Sequence, residues 1–177
     1  DKGNIAGGGF YSKEAKGHGD GAFIFEVEPK NGELAYFRKK EFDLDFMKEG
    51  MKMRHQNKAD KKAKKGKDLK IGNLDVREVV IASDGSIKLI GEQYYWYTTT
   101  SFDSNGNMRT TYHYVYNDIV VVNITKELEI DWFAKVAKRQ HSTNDGGRYS
   151  SFAIGEKEGK LYFIFNDHID NILAVDP

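Results

Sequence analysis

The chain has 177 residues, enough for one domain with a sizeable core or for two small ones. Its 27 Lys and Arg balance 27 Asp and Glu, so no net field draws it to nucleic acid or to an anionic membrane. Cysteine is absent, which excludes disulfides, thiolate catalysis and cysteine-ligated zinc or iron–sulfur centres, and no apolar run approaches the ~20 residues that cross a bilayer.

Residues 1–21 are glycine-rich, with a short predicted strand near Phe10 and Tyr11. Residues 22–40 read as a hairpin, with an apolar strand from Phe23, a polar turn around Lys30 and a second strand ending near Lys39. Residues 41–74 break the β pattern. Leu44, Met47 and Met51 recur there at helical spacing, which predicts a short helix over about 44–56. Lys58, Lys61, Lys62, Lys64, Lys65, Lys67 and Lys70 follow with almost no apolar content and read as a solvated, mobile or helical arm.

Strands resume at Leu74. Val76–Ala82 leads into a turn at Ser83-Asp84-Gly85-Ser86, and Ile87–Thr99 is a long strand. The loop Asp103-Ser104-Asn105-Gly106-Asn107 fails as an EF-hand, because Met108 and Tyr114 stand where that motif needs glycine and glutamate, so a hairpin turn is expected. Thr110–Ile124 is a second long strand. After a loop at Thr143–Gly147, a last hairpin runs from Ser150 to Asn166 around Glu158-Gly159.

The stretches 23–39 and 119–135 lie over each other without a gap, and so do Asp84–Ile90 and Glu158–Ile164. Two hairpin types therefore alternate, and residues 75–137 make one complete four-stranded antiparallel unit with half a unit on either side.

The residues Ser83-Asp84-Gly85-Ser86-Ile87, Asp118-Ile119-Val120-Val121-Val122 and Glu129-Ile130-Asp131-Trp132 resemble blades of β-propeller-type repeat proteins exported by bacteria, a family of unknown function. The chain departs from that pattern at Ser86 and Leu128, where glycines are expected; Gly32 fills the latter place in the first copy. The resemblance implies an all-β fold of about two antiparallel four-stranded propeller-like blades. These form a single β domain or propeller fragment over 1–177, with a helical, lysine-rich insertion over 41–74. A closed propeller needs at least about four blades. The favoured expectation is that the chain, which starts at Asp1, is part of a longer polypeptide; assembly of copies or an open curved sheet are the alternatives.

The expected function is a non-enzymatic scaffold or protein-binding module located outside the cytoplasm, with no cofactor and no nucleic-acid partner, since the propeller fold carries no particular activity. The alternatives are a carbohydrate-binding module and part of a hydrolase completed by sequence beyond this chain. Catalysis has little support. His113 stands alone in mid-strand, no serine sits in a nucleophile elbow, and a facing pair such as Glu92 and Asp118 can arise in any all-β chain.

Strand alternation places Ile87, Leu89, Tyr95 and Tyr97 on one face and Ile90, Tyr94 and Trp96 on the other, while Tyr112, Tyr114 and Tyr116 share a face. Tyr95, Tyr97, Tyr112, Tyr114 and Tyr116 are the candidate ligand-binding residues, a platform for a protein partner or a sugar ring. The plainer reading is that Tyr and Trp are good strand formers covering a two-stranded extension. Asn166, Asp167 and Asp170 are candidate metal ligands, in a segment whose Asx residues also suit a turn. The predicted core is Phe23, Phe25, Val80, Leu89, Ile119, Val121, Ile130, Trp132, Phe152, Leu161 and Phe163.

Overall fold

The structure is a computed structural model and describes residues 3–14, 18–51, 53–65 and 70–167. Three strands, β1 (Ile5–Tyr11), β3 (Gly21–Val27) and β4 (Leu34–Glu41), form an antiparallel sheet in the order β1-β3-β4. The short β2 (His18–Gly19) pairs with β5 (Ile71–Gly72). Between β4 and β5 lie two helices, α1 (Leu44–Lys48) and α2 (Met53–Ala63). The central sheet is an antiparallel meander of β6 (Leu74–Ile81), β7 (Ile87–Phe102), β8 (Met108–Ile124) and β9 (Ile130–Val136), with β10 (Gln140–Thr143) beside β9 on the same edge of β8. A final hairpin pairs β11 (Ala153–Lys157) with β12 (Lys160–Ile164).

The chain is thus mostly β and antiparallel, as the sequence suggests, and all five expected hairpins form. Among the described residues no sheet closes on itself, and no helix is long and apolar enough to cross a membrane.

The first sheet stacks on one face of the central sheet. Ala22 and Ile24 of β3 meet Leu89, Val120, Val122 and Ile124, and Phe42, Phe46 and Met47 close the cluster from the side. Tyr36 on β4 reaches across to donate its hydroxyl to the Leu128 carbonyl at 3.1 Å. Leu128 has φ of 64°, the left-handed conformation that favours glycine. Its side chain packs against the core, which offsets that strain and accounts for a leucine where the blade pattern has glycine.

Phe23 and Phe25 are not core residues. Alternation sends Ile24 inward, so both phenylalanines lie half-buried on the outer face, stacked in a row with Phe37. Gly7 and Gly9 on β1 make room for them; a Cβ at Gly7 would sit 2.5 Å from Phe25 Cζ. The two matched hairpins also differ by one residue in register. Phe37 pairs with Phe25, but its counterpart Phe133 pairs with Val122 rather than Val121. Phe133 therefore turns inward, edge-on to Phe42 at 4.8 Å. Trp132, on the opposite face, stays 42% exposed, while Val80, Phe152, Leu161 and Phe163 are half-buried; Leu89, Ile119, Val121 and Ile130 are buried as expected.

The single helix expected over about 44–56 is split in two. Asp43 caps α1 by accepting from the Phe46 N–H at 2.8 Å, and Gly50, with φ of 74°, turns the chain after it. Phe46 and Met47 are buried, whereas Ala59 is the buried residue of α2, whose lysines face outward with Lys61 and Lys62 in the favourable last turn. The lysine tract through Lys65 is helix and turn; Lys67 lies outside the described residues.

Candidate functional site: an aromatic arm and its buried anchor

β7 and β8 outrun their neighbours. β6 leaves β7 at the Leu74–Gln93 pair, and β10 accompanies β8 only as far as His113. Beyond these points the ladder from Thr98–Tyr112 to Phe102–Met108 is a two-stranded arm. Its tip is the expected turn. Asp103 accepts from the backbone N–H groups of Asn105 and Asn107, both at 2.9 Å, and from the Asn107 amide at 3.0 Å. The Asn107 hydrogen bonds hold the Asp103 carboxyl below its ordinary value.

A bulge stands at the base of the arm. The ladder steps from Glu92–Ile119 to Tyr94–Tyr116, so Asn117 and Asp118 on β8 oppose the single Gln93. Beyond it, one face carries Tyr94 and Trp96 with Tyr112, Tyr114 and Tyr116, and the other carries Tyr95 and Tyr97 with His113 and Val115. The five candidate tyrosines therefore do not share a surface. On the first face Tyr94 and Tyr116 meet at 4.6 Å, and Trp96 leans on Tyr112 at 6.4 Å and 34°. On the second, Tyr95 stacks along Tyr97, which lies parallel to His113 at 4.5 Å. Trp96 is 58% exposed and Tyr112 46%, and at the tip Phe102 and Met108 face each other at 70% and 68%.

The first face of the base is locked by buried charge. Glu92 Oε1 receives Lys138 Nζ at 2.6 Å; Glu92 Oε2 receives the Ser151 hydroxyl at 2.7 Å and Arg77 Nε at 3.1 Å. Arg77 also lies over the Tyr94 and Tyr116 rings. Gln140 binds three segments together. Its oxygen accepts from Lys138 Nζ at 2.8 Å and from the Ser151 N–H at 2.7 Å, and its amide donates to the Asn166 carbonyl at 2.6 Å. The chain through β11 and β12 is thereby held against the face of the central sheet opposite the first sheet. Gly147, with φ of 72°, passes so close that a Cβ there would lie 2.6 Å from Tyr116 Oη.

Burial pushes the Lys138 ammonium below its ordinary pKa, against the pull of Glu92. Burial likewise raises Asp118, whose Oδ1 accepts from the Lys138 N–H at 3.2 Å, although Lys135 and Lys138 draw it back down. Both Glu92 oxygens are engaged in ion pairs or hydrogen bonds, so this carboxylate holds structure together rather than facing Asp118 across a substrate space.

Asn166 also serves structure, with its amide donating to the Tyr149 carbonyl at 2.9 Å. Asp167 is half-buried, and Asp170 lies outside the described residues. Among the described residues no group of three or more His, Asp or Glu side chains is gathered for a metal ion. An open cleft of about 290 Å³ separates the β6–β7 turn from the last hairpin, lined by Ser83, Asp84, Lys88, Glu156, Glu158 and Leu161.

The Glu92–Lys138 pair has a signal in the sequence. A glutamate directly after Leu89-Ile90-Gly91, in a strand that reads as buried, needs a cationic partner. Which cation supplies it depends on the turn between β9 and β10. Comparison of the chain with family models, curated proteins and solved structures gives no match.

Proposed function

We propose that this protein is a non-enzymatic binding module of propeller type, acting outside the cytoplasm, which offers the β7–β8 arm to a protein partner. The observation that carries this reading is the arm itself. Tyr112, Phe102 and Met108 project from a two-stranded ladder, with Trp96 exposed just below it, and the base is fixed by buried charge. Aromatic side chains held this way lose little conformational entropy on binding and make effective anchors. The alternation of the two hairpin types and the antiparallel meander at 75–137 support the blade reading, and the resemblance alone supports the location.

A sugar platform fits the arm less well, because its rings lie on two faces and Trp96 and Tyr112 are tilted to each other. The hydrolase reading has no facing carboxylate pair at the arm base to support it, since Glu92 is engaged.

A photo-crosslinking residue at Thr98 should capture a protein, identified by mass spectrometry. Affinity for that protein, once purified, should fall by about tenfold or more in the W96A/Y112A variant. Unchanged affinity overturns the assignment of the arm. Binding on a glycan array that is lost in the same variant would replace the protein partner with a carbohydrate.

A further inference from the structure

We infer that His113 and His141 form a clamp for a divalent transition-metal ion, Zn²⁺ or Cu²⁺, on the second face of the arm base. The two residues stand diagonally on neighbouring strands, His113 opposite Thr143 and His141 opposite Val115. Their side chains meet with His113 Nδ1 3.0 Å from His141 Nε2. Two imidazole nitrogens bound to one zinc ion at ~2.0–2.1 Å, with an angle between right-angled and tetrahedral, stand ~2.9–3.4 Å apart. The rings are 14° from parallel with centroids 5.3 Å apart, so the two nitrogens meet head-on. Their spacing matches two ligands of one ion, and a rotation of the His141 ring off that line lets both lone pairs converge on a metal beside it.

The surroundings suit that convergence. His113 Nε2 lies 2.9 Å from Thr99 Oγ1. In the ligating tautomer Nε2–H donates to that hydroxyl and leaves the Nδ1 lone pair directed at His141, the outer-shell arrangement that orients metal-bound histidines. Tyr97 lies parallel to the His113 ring, interplanar angle 3°, and fixes its plane. His141 is exposed, so its ring can swivel to converge on the ion, and the remaining positions of a tetrahedron open to water. Imidazole favours zinc, copper and nickel over calcium or magnesium. The site is separate from Asn166 and Asp167 and does not depend on the arm having a protein partner.

The test is calorimetric titration of the untagged full chain with ZnCl₂ and with CuCl₂, alongside Cu²⁺ electron paramagnetic resonance and imidazole ¹⁵N NMR. One ion should bind per chain, copper should show coupling to two nitrogens, and the shifted NMR signals should be His113 Nδ1 and His141 Nε2. H113N and H141N should each weaken binding by more than about tenfold, T99V by about tenfold as a positioning change, and H55N not at all. Circular dichroism checks that the variants stay folded. Affinity unchanged in the H113N/H141N double variant overturns the site, as does loss of binding in N166A/D167A with the histidines intact. Absence of heat and of any nitrogen shift also overturns it.

Discussion

Glu92 Oε1 and Lys138 Nζ lie 2.6 Å apart with neither side chain exposed to solvent. Forty-odd residues of chain separate them, and the contact ties the middle of β7 to the turn between β9 and β10. Removing one partner strands the other. E92A should lower stability by about 3–5 kcal/mol in urea denaturation, because Lys138 is left charged and buried. The double variant E92M/K138M should be more stable than either single change, since an apolar pair of similar volume removes both desolvation costs and Arg77, partly exposed, can turn to solvent. A loss below about 1 kcal/mol for E92A would show that the pair contributes little.

Asp118 gives stability a definite dependence on pH. Burial raises its pKa above the ordinary 3.8, so the folded state holds the proton more tightly than the unfolded state does. The resulting penalty is absent below the unfolded value, grows as pH rises through the raised folded value, and is constant above it. D118N keeps an oxygen for the Lys138 N–H but cannot ionise. Its stability relative to the parent should therefore rise as pH climbs from the ordinary carboxylate value through the raised folded value and then level off, read from urea midpoints. A difference that does not change with pH would contradict this assignment.

The two helices should respond differently to substitution. F46A should cost about 3–5 kcal/mol, since Phe46 is wedged between Phe42 and Phe133. D43A should cost about 1 kcal/mol through loss of the cap on α1. K61Q/K62Q should stay within about 0.5 kcal/mol per site, because both lysines stand on the exposed side of α2. Thermal unfolding of the three variants checks the order; a costly K61Q/K62Q would mean that the lysines have contacts beyond solvent.

The hairpins were legible in the sequence because turn chemistry is local. Asp84-Gly85, Asn105-Gly106 and Glu158-Gly159 each mark a turn through a glycine free to take positive φ, and all three turns form. Facing was harder to read. Phe23 and Phe25 look like core by residue type, yet the smaller Ile24 is the buried one, because the glycines of β1 make the outer face the roomier side. The tyrosine set was split by the bulge at Asn117-Asp118, which period-two counting along a single strand cannot foresee. The His113–His141 contact was invisible for a related reason, since β10 has only four residues and its register on β8 is set in three dimensions. The break at Gly50 was readable in principle, as glycine is a common helix stop.

The meander places the strands that are neighbours in sequence side by side, and this has a consequence for how the molecule assembles. β6 to β9 can zip together through short loops, at small entropic cost. The layers on either side form local hairpins of their own, but their docking onto the meander is long-range. Tyr36 meets the Leu128 carbonyl across 92 residues, and Ser151 meets Glu92 across 59. Loop-closure entropy thus favours the meander as the template, with the two outer layers docking on it from opposite sides. A ribosome delivering the chain in order would release the glycine-rich first sheet well before the surface that receives it exists, and its inward face, Ala22 and Ile24, would wait in water for the middle of the chain.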